Sequence, residues 1–317
     1  MAQAEQIALP LSFANERHGM RILLTIFGGL VLHGVVSAAC PPAGVTRADL
    51  VKLEAAEGVI ADDAKRQRLA IGLLDCLGDP DPFLRDEIAF SALEGWMRAQ
   101  QLDLDTLQRL RTTQLASLAR PDAAGFAQPF AALVLGEVVR ADRLKPHLTA
   151  AERAELVQAG TTYLRTVRDY RGFDPKEGWR HAVAHAADFM AQLARHPAVG
   201  KRDQQLMLAA IGTQLSAASA QVPAQSFQFG EGERLAVPVF ELSARSELET
   251  ADWDAWFNTL AVTAAERVEM SPAQLAHRHN LKSFLMPLYI KLVESKDAAQ
   301  RERMLPIVQR ALIALKS

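Results

Sequence analysis

The chain has 317 residues, of which 49% are hydrophobic, 6% aromatic and 23% charged, and its formal net charge at pH 7 is −2. This is the composition of a globular protein with enough apolar residues for a sizeable core. Because lysine and arginine are scattered and form no long runs, the sequence lacks the basic surface that binding of nucleic acid requires, and we expect no nucleic-acid partner.

The first 39 residues predict export from the cytoplasm. After Met20 and one basic residue, an apolar run covers 22–36 and small residues occupy 37–39. This layout is typical of a signal peptide, and the run is too short and too interrupted by glycine for a membrane span. We therefore predict a start extension over residues 1–19, a signal peptide over 20–39 and a periplasmic protein without a membrane span after signal removal.

The two cysteines, Cys40 and Cys76, then lie in an oxidising compartment. A single pair of cysteines in such a compartment predicts one disulfide bond. The alternatives are two free thiols or a lipid anchor on Cys40, although Ser37 stands where a lipidation motif has an aliphatic residue.

The remaining chain is predicted to be helical, because Ala, Leu, Gln, Glu and Arg dominate and strand-like alternation is missing. A capping box at Thr149 and Glu152 and the pair Ser271-Pro272 mark two helix starts, and Gln128-Pro129 is expected to start a helix in the same way. The predicted helices cover residues 47–56, 61–77, 83–99, 104–119, 130–141, 150–168, 179–195, 202–220, 231–244, 251–268, 272–294 and 298–315.

Short breaks with Gly and Pro separate these helices, so consecutive helices are expected to be antiparallel neighbours. The turn 79–82 followed by Arg85 resembles the helix entry of a HEAT repeat. We therefore predict an all-α fold, with about twelve helices in a HEAT-like array or irregular α-solenoid, and a single domain over residues 40–317.

The most unusual chemistry lies in residues 168–196, which read RDYRGFDPKEGWRHAVAHAADFMAQLARH. On a helix, His181, His185 and Asp188 would share one stripe because they are spaced by four and three residues. Two imidazoles and a carboxylate so arranged predict ligands for a divalent metal such as zinc and, with a bound water, a hydrolase. Ala182 replaces the glutamate base of the H-E-x-x-H motif, so the chain is not a zincin of that type.

Two other interpretations of the same residues stay open. Small alanines surround the histidines, which is typical of a tightly packed helix whose histidines bond to neighbouring helices, with Asp188 paired to Arg168 or Arg171. Alternatively, the polar residues form a binding pocket. The residues predicted for it are Asp169, Arg171, Trp179, His181, His185 and Asp188, joined by Arg85, Glu233 and Arg234.

Several motifs together resemble a bacterial family catalogued as domain of unknown function 2785. The resemblance covers about Leu73 to Tyr289, and the block with RGF, GW and HAVAHAAD is its most specific part. It implies an all-helical protein without an assigned activity. The other motifs are RDEIAFSALEGWM, FAQPFAALVLGEVVRAD, EGERLA and NLKSFLMPLY.

From these observations we predict an exported binding or interaction module that needs no cofactor. Its partner would be a protein, a peptide or a small molecule. A metal-assisted hydrolase that uses His181, His185 and Asp188 is the alternative.

Overall fold

The computed structural model describes residues 40–216, 225–260 and 271–316. It confirms the predicted all-α class, because 72% of the described residues are helical and the largest sheet among them has only two short strands. The described residues belong to one compact unit. The predicted start extension and signal peptide lie outside the described residues.

Twelve α-helices occur in the described ranges, most of them within a few residues of the predicted bounds. A 3₁₀ segment, Leu73–Gly78, and a π-helical segment, Phe83–Phe90, precede the third α-helix. The helices are α1 (Arg47–Ala55), α2 (Asp63–Gly72), α3 (Ser91–Arg98), α4 (Leu104–Ala119), α5 (Ala127–Leu144), α6 (Ala150–Thr166), α7 (Ala182–Arg195), α8 (Lys201–Leu215), α9 (Glu231–Ser243), α10 (Thr250–Thr259), α11 (Pro272–Glu294) and α12 (Ala298–Lys316).

Two of the three predicted helix starts are confirmed. Thr149 and Glu152 form the capping box of α6, and Ser271 caps α11 with proline at the first helical position. The third was wrong, because α5 already begins at Ala127. Asp122 explains the earlier start, since its carboxylate accepts the backbone N–H groups of Gly125 and Gln128 at 2.9 and 3.0 Å.

The helices form two layers. Helices α3, α5, α7, α9 and α11 pack against one another in chain order, and α4, α6, α8, α10 and α12 form a second row. Hairpins such as α4–α5, α6–α7 and α11–α12 connect the rows. Helix α7 lies deepest, because α5, α6 and α9 all contact it and its alanines at 182, 184, 186 and 187 are almost fully buried.

The predicted helix over 179–195 begins three residues later than expected. Residues Phe173–Asp174 (β1) pair with Gly178–Trp179 (β2) in a short antiparallel hairpin. Beyond β2, the N–H groups of Arg180 and His181 donate to the carbonyls of Gly172 and Arg171 at 3.0 and 3.2 Å. These bonds hold the segment to the residues just before β1, so Trp179 lies in β2 and His181 is only the N-cap of α7.

The predicted helix over 83–99 also differs, because its first half has the wider turns of a π-helix. This segment carries Arg85, whose side chain is completely buried. π-Type turns are rare and often occur near functional sites. In this protein the wide turn occurs where the large cationic side chain of Arg85 points into the protein interior.

The predicted disulfide is present, with Cα atoms of Cys40 and Cys76 5.0 Å apart. It attaches the first described residue to the 3₁₀ segment that follows α2. The Cys40 sulfur is therefore not available for a lipid in this structure. No helix within the described ranges has both the length and the apolar character that crossing a membrane would require.

We expect the double variant Cys40→Ser, Cys76→Ser to lose about 3–4 kcal/mol of unfolding free energy, because the bond closes a loop of 36 residues. Urea unfolding followed by far-UV circular dichroism measures the change. Wild-type protein under reducing conditions should match the double variant. Equal stability of oxidised and reduced protein would contradict the expectation.

Two helical glycines offer a matched test of helix packing. A Cβ atom on Gly232 of α9 would lie 2.7 Å from the carbonyl carbon of Ser283 on α11, whereas one on Gly136 of α5 would approach only to 3.5 Å of its nearest neighbour. We expect Gly232→Ala to destabilise the protein by about 1–3 kcal/mol through overpacking. Gly136→Ala should be neutral or stabilising, because alanine has the higher helix propensity. Equal unfolding midpoints for the two variants in urea would show that α9 and α11 can move apart freely.

Candidate functional site

The hairpin before α7 rests on two buried arginines. The guanidinium of Arg85 donates to the carbonyls of Asp79 and Glu177 at 2.9 and 2.8 Å, and its carbon lies 4.2 Å from the ring centroid of Phe126. Arg180 donates to the Ala124 carbonyl at 2.8 Å and lies 4.3 Å from the same ring. Arg85, a predicted site residue, therefore stabilises the hairpin from inside the protein and is not exposed to solvent.

Asp169 and Arg171, also predicted for the site, pair with each other. The Arg171 guanidinium donates to both carboxylate oxygens of Asp169 at 2.8 and 2.6 Å, and it reaches the carbonyls of Ala123 and Ala124 at 3.3 Å. This pair fastens the hairpin to the loop before α5. Arg171 is thus not the partner of Asp188.

Trp179 and His181 form a stacked pair beside α7. Their ring centroids are 4.7 Å apart with an interplanar angle of 25°. The His181 Nε2 atom lies 2.6 Å from the Phe229 carbonyl oxygen, so Nε2 carries the proton and donates it. Burial lowers the pKa of His181, and its backbone is left-handed, with φ +56°. Such a φ is uncommon for a residue with a side chain.

His185 lies in the first turn of α7, where its ring meets the rings of Phe130 and His181 edge-on at 5.2 and 5.5 Å. Burial is the main cause that lowers the pKa of His185 well below its ordinary value, and nearby His181 and Arg234 act in the same direction. The buried Nδ1 atom has no hydrogen-bond partner within the described residues. His185 is therefore a neutral imidazole with unused hydrogen-bonding capacity.

Asp188, one turn further along α7, pairs with Arg234 of α9. The Nη1 atom of Arg234 lies 2.7 Å from each carboxylate oxygen. Burial raises the pKa of Asp188, and the charge of Arg234 opposes this shift. The partners suggested by the sequence were wrong, because Arg171 binds Asp169 and Arg168 donates to the Arg165 and Val167 carbonyls.

A cleft of about 550 Å³ opens between α3, α5, α7 and α9, and we call it the interhelical cleft. It brings together four of the predicted site residues, His185, Asp188, Glu233 and Arg234. Asp169, Arg171 and Arg85 belong instead to the anchors of the hairpin. Trp179 and His181 lie outside the lining, but the ring contact between His181 and His185 connects them to it.

Sequence reasoning missed five polar residues of the cleft, Glu94, Arg98, Glu137, Gln192 and Arg195. Arg98 pairs with Glu94 at 2.6 Å and with Glu137 at 2.7 Å, and Arg195 pairs with Glu241 at 2.7 Å. Burial raises the pKa of Glu94. One signal was visible in the sequence, since Glu137 is the lone acidic residue in the predicted helix over 130–141, which is otherwise apolar on several faces.

The predicted metal ligands do not meet around a common point. Within residues 40–216, 225–260 and 271–316, no group of three or more His, Cys, Asp or Glu side chains is placed to hold a metal ion. His181 precedes the helix and bonds to a carbonyl, and Asp188 is paired with Arg234. The zinc site stays a prediction, which elemental analysis of protein purified without chelators would test, with His181→Ala as the variant that should lose the metal.

A family model described as a protein of unknown function (DUF2785) matches residues 117–290, which is more than half of the chain. The match confirms the resemblance expected from the sequence motifs, and it includes the hairpin, α7 and α9. No curated protein and no solved structure showed a significant match to this chain.

The left-handed backbone of His181 generates one prediction. His181→Ala and His181→Gly both remove the ring, but we expect the alanine variant to be less stable by about 1 kcal/mol, because only glycine adopts this φ without strain. At Ala154, an exposed position within α6, replacement by glycine should instead lower stability. Thermal unfolding of the three variants measures both differences. If alanine proves as stable as glycine at position 181, the backbone there is not strained.

The depressed pKa of His185 generates a pH prediction. Below the ordinary histidine pKa of about 6.5, the unfolded chain binds a proton that the folded protein excludes, so the wild type loses stability as pH falls. Relative to His185→Gln, we expect a loss that approaches 1.4 kcal/mol per pH unit between about pH 6 and 5 and a constant difference above pH 7.5. Urea unfolding at several pH values tests this. A difference that stays constant down to pH 5 would place the proton on His185 in the folded protein.

Proposed function

The chain belongs to the DUF2785 family of proteins of unknown function, and we propose that it is an exported binding protein that holds a small polar ligand in the interhelical cleft. The observation that carries the proposal is His185. It is nine-tenths buried, it lines the cleft, and its ring has unused hydrogen-bonding capacity.

A buried polar group without a hydrogen bond costs about 1–3 kcal/mol, and proteins rarely retain such a group without a reason. The Nδ1 atom itself has almost no exposed surface, so a ligand would recover this free energy only by displacing the groups that cover this atom. The first turn of α7 points this side chain between Phe130 and His181, so its position is fixed before the ligand arrives. Preorganisation of this kind reduces the entropy lost on binding.

The size and lining of the cleft fit the same role. A volume of about 550 Å³ lies within the range of small-molecule sites, about 300–1,000 Å³. Four helices contribute to its walls, and Leu133 and Val237 provide apolar surface between the polar groups. This combination of apolar walls and a few directed polar groups is typical of ligand sites.

Export is the second part of the proposal. The disulfide between Cys40 and Cys76 is compatible with an oxidising compartment, where such bonds persist. Together with the signal-like segment over 20–39, it supports a periplasmic location.

A steric block tests the binding role. We expect Val237→Trp, which places a large ring in the cleft, to reduce ligand affinity at least ten-fold. Val293→Trp on the exposed face of α11 is the matched control and should leave affinity unchanged. Saturation-transfer NMR against a defined panel of neutral sugars, amino acids, dipeptides and nucleosides provides the measurement, and circular dichroism checks that both variants fold. If no compound binds, or if Val237→Trp binds as the wild type does, the cleft is not the binding site.

A further inference from the structure

We infer that the ligand of the interhelical cleft is a saccharide chain, and that Phe173 and Trp179 extend the cleft as a stacking platform for its sugar rings. This inference rests on the proposed binding function and specifies its ligand. It follows from two independent features, the charge pairing inside the cleft and the exposed aromatic rings beside it.

Most of the charged side chains that line the cleft form ion pairs with other side chains of the protein. Arg98, Arg195 and Arg234 each pair with a carboxylate at 2.6–2.7 Å. Among the charged residues that line the cleft, Glu233 alone has no ion pair with another described residue. An anionic ligand would compete with the carboxylates that already pair with these arginines, and displacing one would leave a partly buried charge uncompensated, which is costly.

Neutral hydroxyl groups avoid this cost. A hydroxyl both donates and accepts hydrogen bonds, so it matches a surface on which guanidinium donors and carboxylate acceptors alternate. Arg98, with Glu94 and Glu137 on either side, presents such an alternation on the α3–α5 wall, and Arg234 with Asp188 presents it on the α7–α9 wall. His185 adds a neutral group between these walls.

The aromatic platform lies on the hairpin before α7. Phe173 is 50% exposed and Trp179 is 38% exposed, and their ring centroids are 5.1 Å apart. Adjacent exposed aromatic side chains of this size commonly mark a recognition surface. The apolar C–H face of a sugar ring packs on such rings while its hydroxyls remain free for hydrogen bonds.

The platform is held firmly in place and lies close to the cleft. Arg85 and Arg180 fix the hairpin from below, and a side chain on Gly178 would collide with Pro82 at 2.8 Å, so the strand lies directly on the preceding turn. Trp179 stacks on His181, and His181 meets His185 at 5.5 Å. The platform and the cleft are therefore close neighbours, separated by the buried ring of His181. A ligand that occupies both has to extend across this ring, which suits a chain of linked sugar rings better than a single compact ligand.

The intrinsic fluorescence of the protein provides a direct test. Trp96, Trp253 and Trp256 are buried, so among the four tryptophans Trp179 is the one that a ligand on the platform would contact. We expect titration with N-acetylglucosamine tetramer, cellotetraose or maltotetraose to change the emission of the wild type for at least one of the three. Calorimetry should give an affinity that Trp179→Ala weakens at least ten-fold and Val237→Trp abolishes. Met286→Ala, at an exposed position on α11, is the control and should bind like the wild type.

The outcomes separate the two proposals. If the cleft binds amino acids, dipeptides or nucleosides but none of the tetrasaccharides, the saccharide inference is wrong and the binding function stands. If a tetrasaccharide binds but Trp179→Ala leaves its affinity unchanged, the platform is not part of the site. If no compound binds in a manner sensitive to Val237→Trp, both proposals fail.

Discussion

The buried guanidinium of Arg85 is the interaction on which the site region depends. It has no exposed surface, and it joins the turn at Asp79, the hairpin at Glu177 and the ring of Phe126. Asp86 contributes a carboxylate at 2.6 Å, so the buried charge is paired as well as hydrogen-bonded. Since an unpaired charge in this position would be strongly destabilising, the surrounding segments are constrained to stay together. The positions of the start of α7 and of the Phe173 and Trp179 rings beside the cleft therefore depend on Arg85.

Most of the fold could be predicted from the sequence because helix formation here is governed by local signals. Capping residues such as Thr149 and Ser271 determine helix starts within a few residues of sequence, and the disulfide followed from the presence of a single cysteine pair. The failures occurred where distant groups override local preference. Trp179 and His181 continue a helical pattern, yet Trp179 pairs with Phe173, and Arg180 and His181 donate to the carbonyls of Gly172 and Arg171, so this segment forms a hairpin. Helical periodicity in the sequence cannot reveal that hairpin hydrogen bonds compete with the helix at these residues.

The candidate site was less predictable for the same reason. The spacing of His185 and Asp188 correctly placed both on one helix, but the partner of Asp188 lies 46 residues away on α9. Arg98 and Glu137 are likewise 39 residues apart. A sequence shows which residues are charged, whereas the pairing depends on which helices become neighbours, and local motifs carry no information about that.

The separation of these partners has a further meaning for the mechanics of the array. Helices α3, α5, α7 and α9 follow one another within a single row, and each helix contributes one strip of the cleft wall. In an array whose units contact mainly their neighbours, adjacent units can loosen one at a time. A ligand that touches the first and the last of these helices would link all four of them. Separation of any two neighbouring helices would then require release of the ligand. Occupancy of the cleft would thereby convert a chain of local stabilities into one cooperative unit.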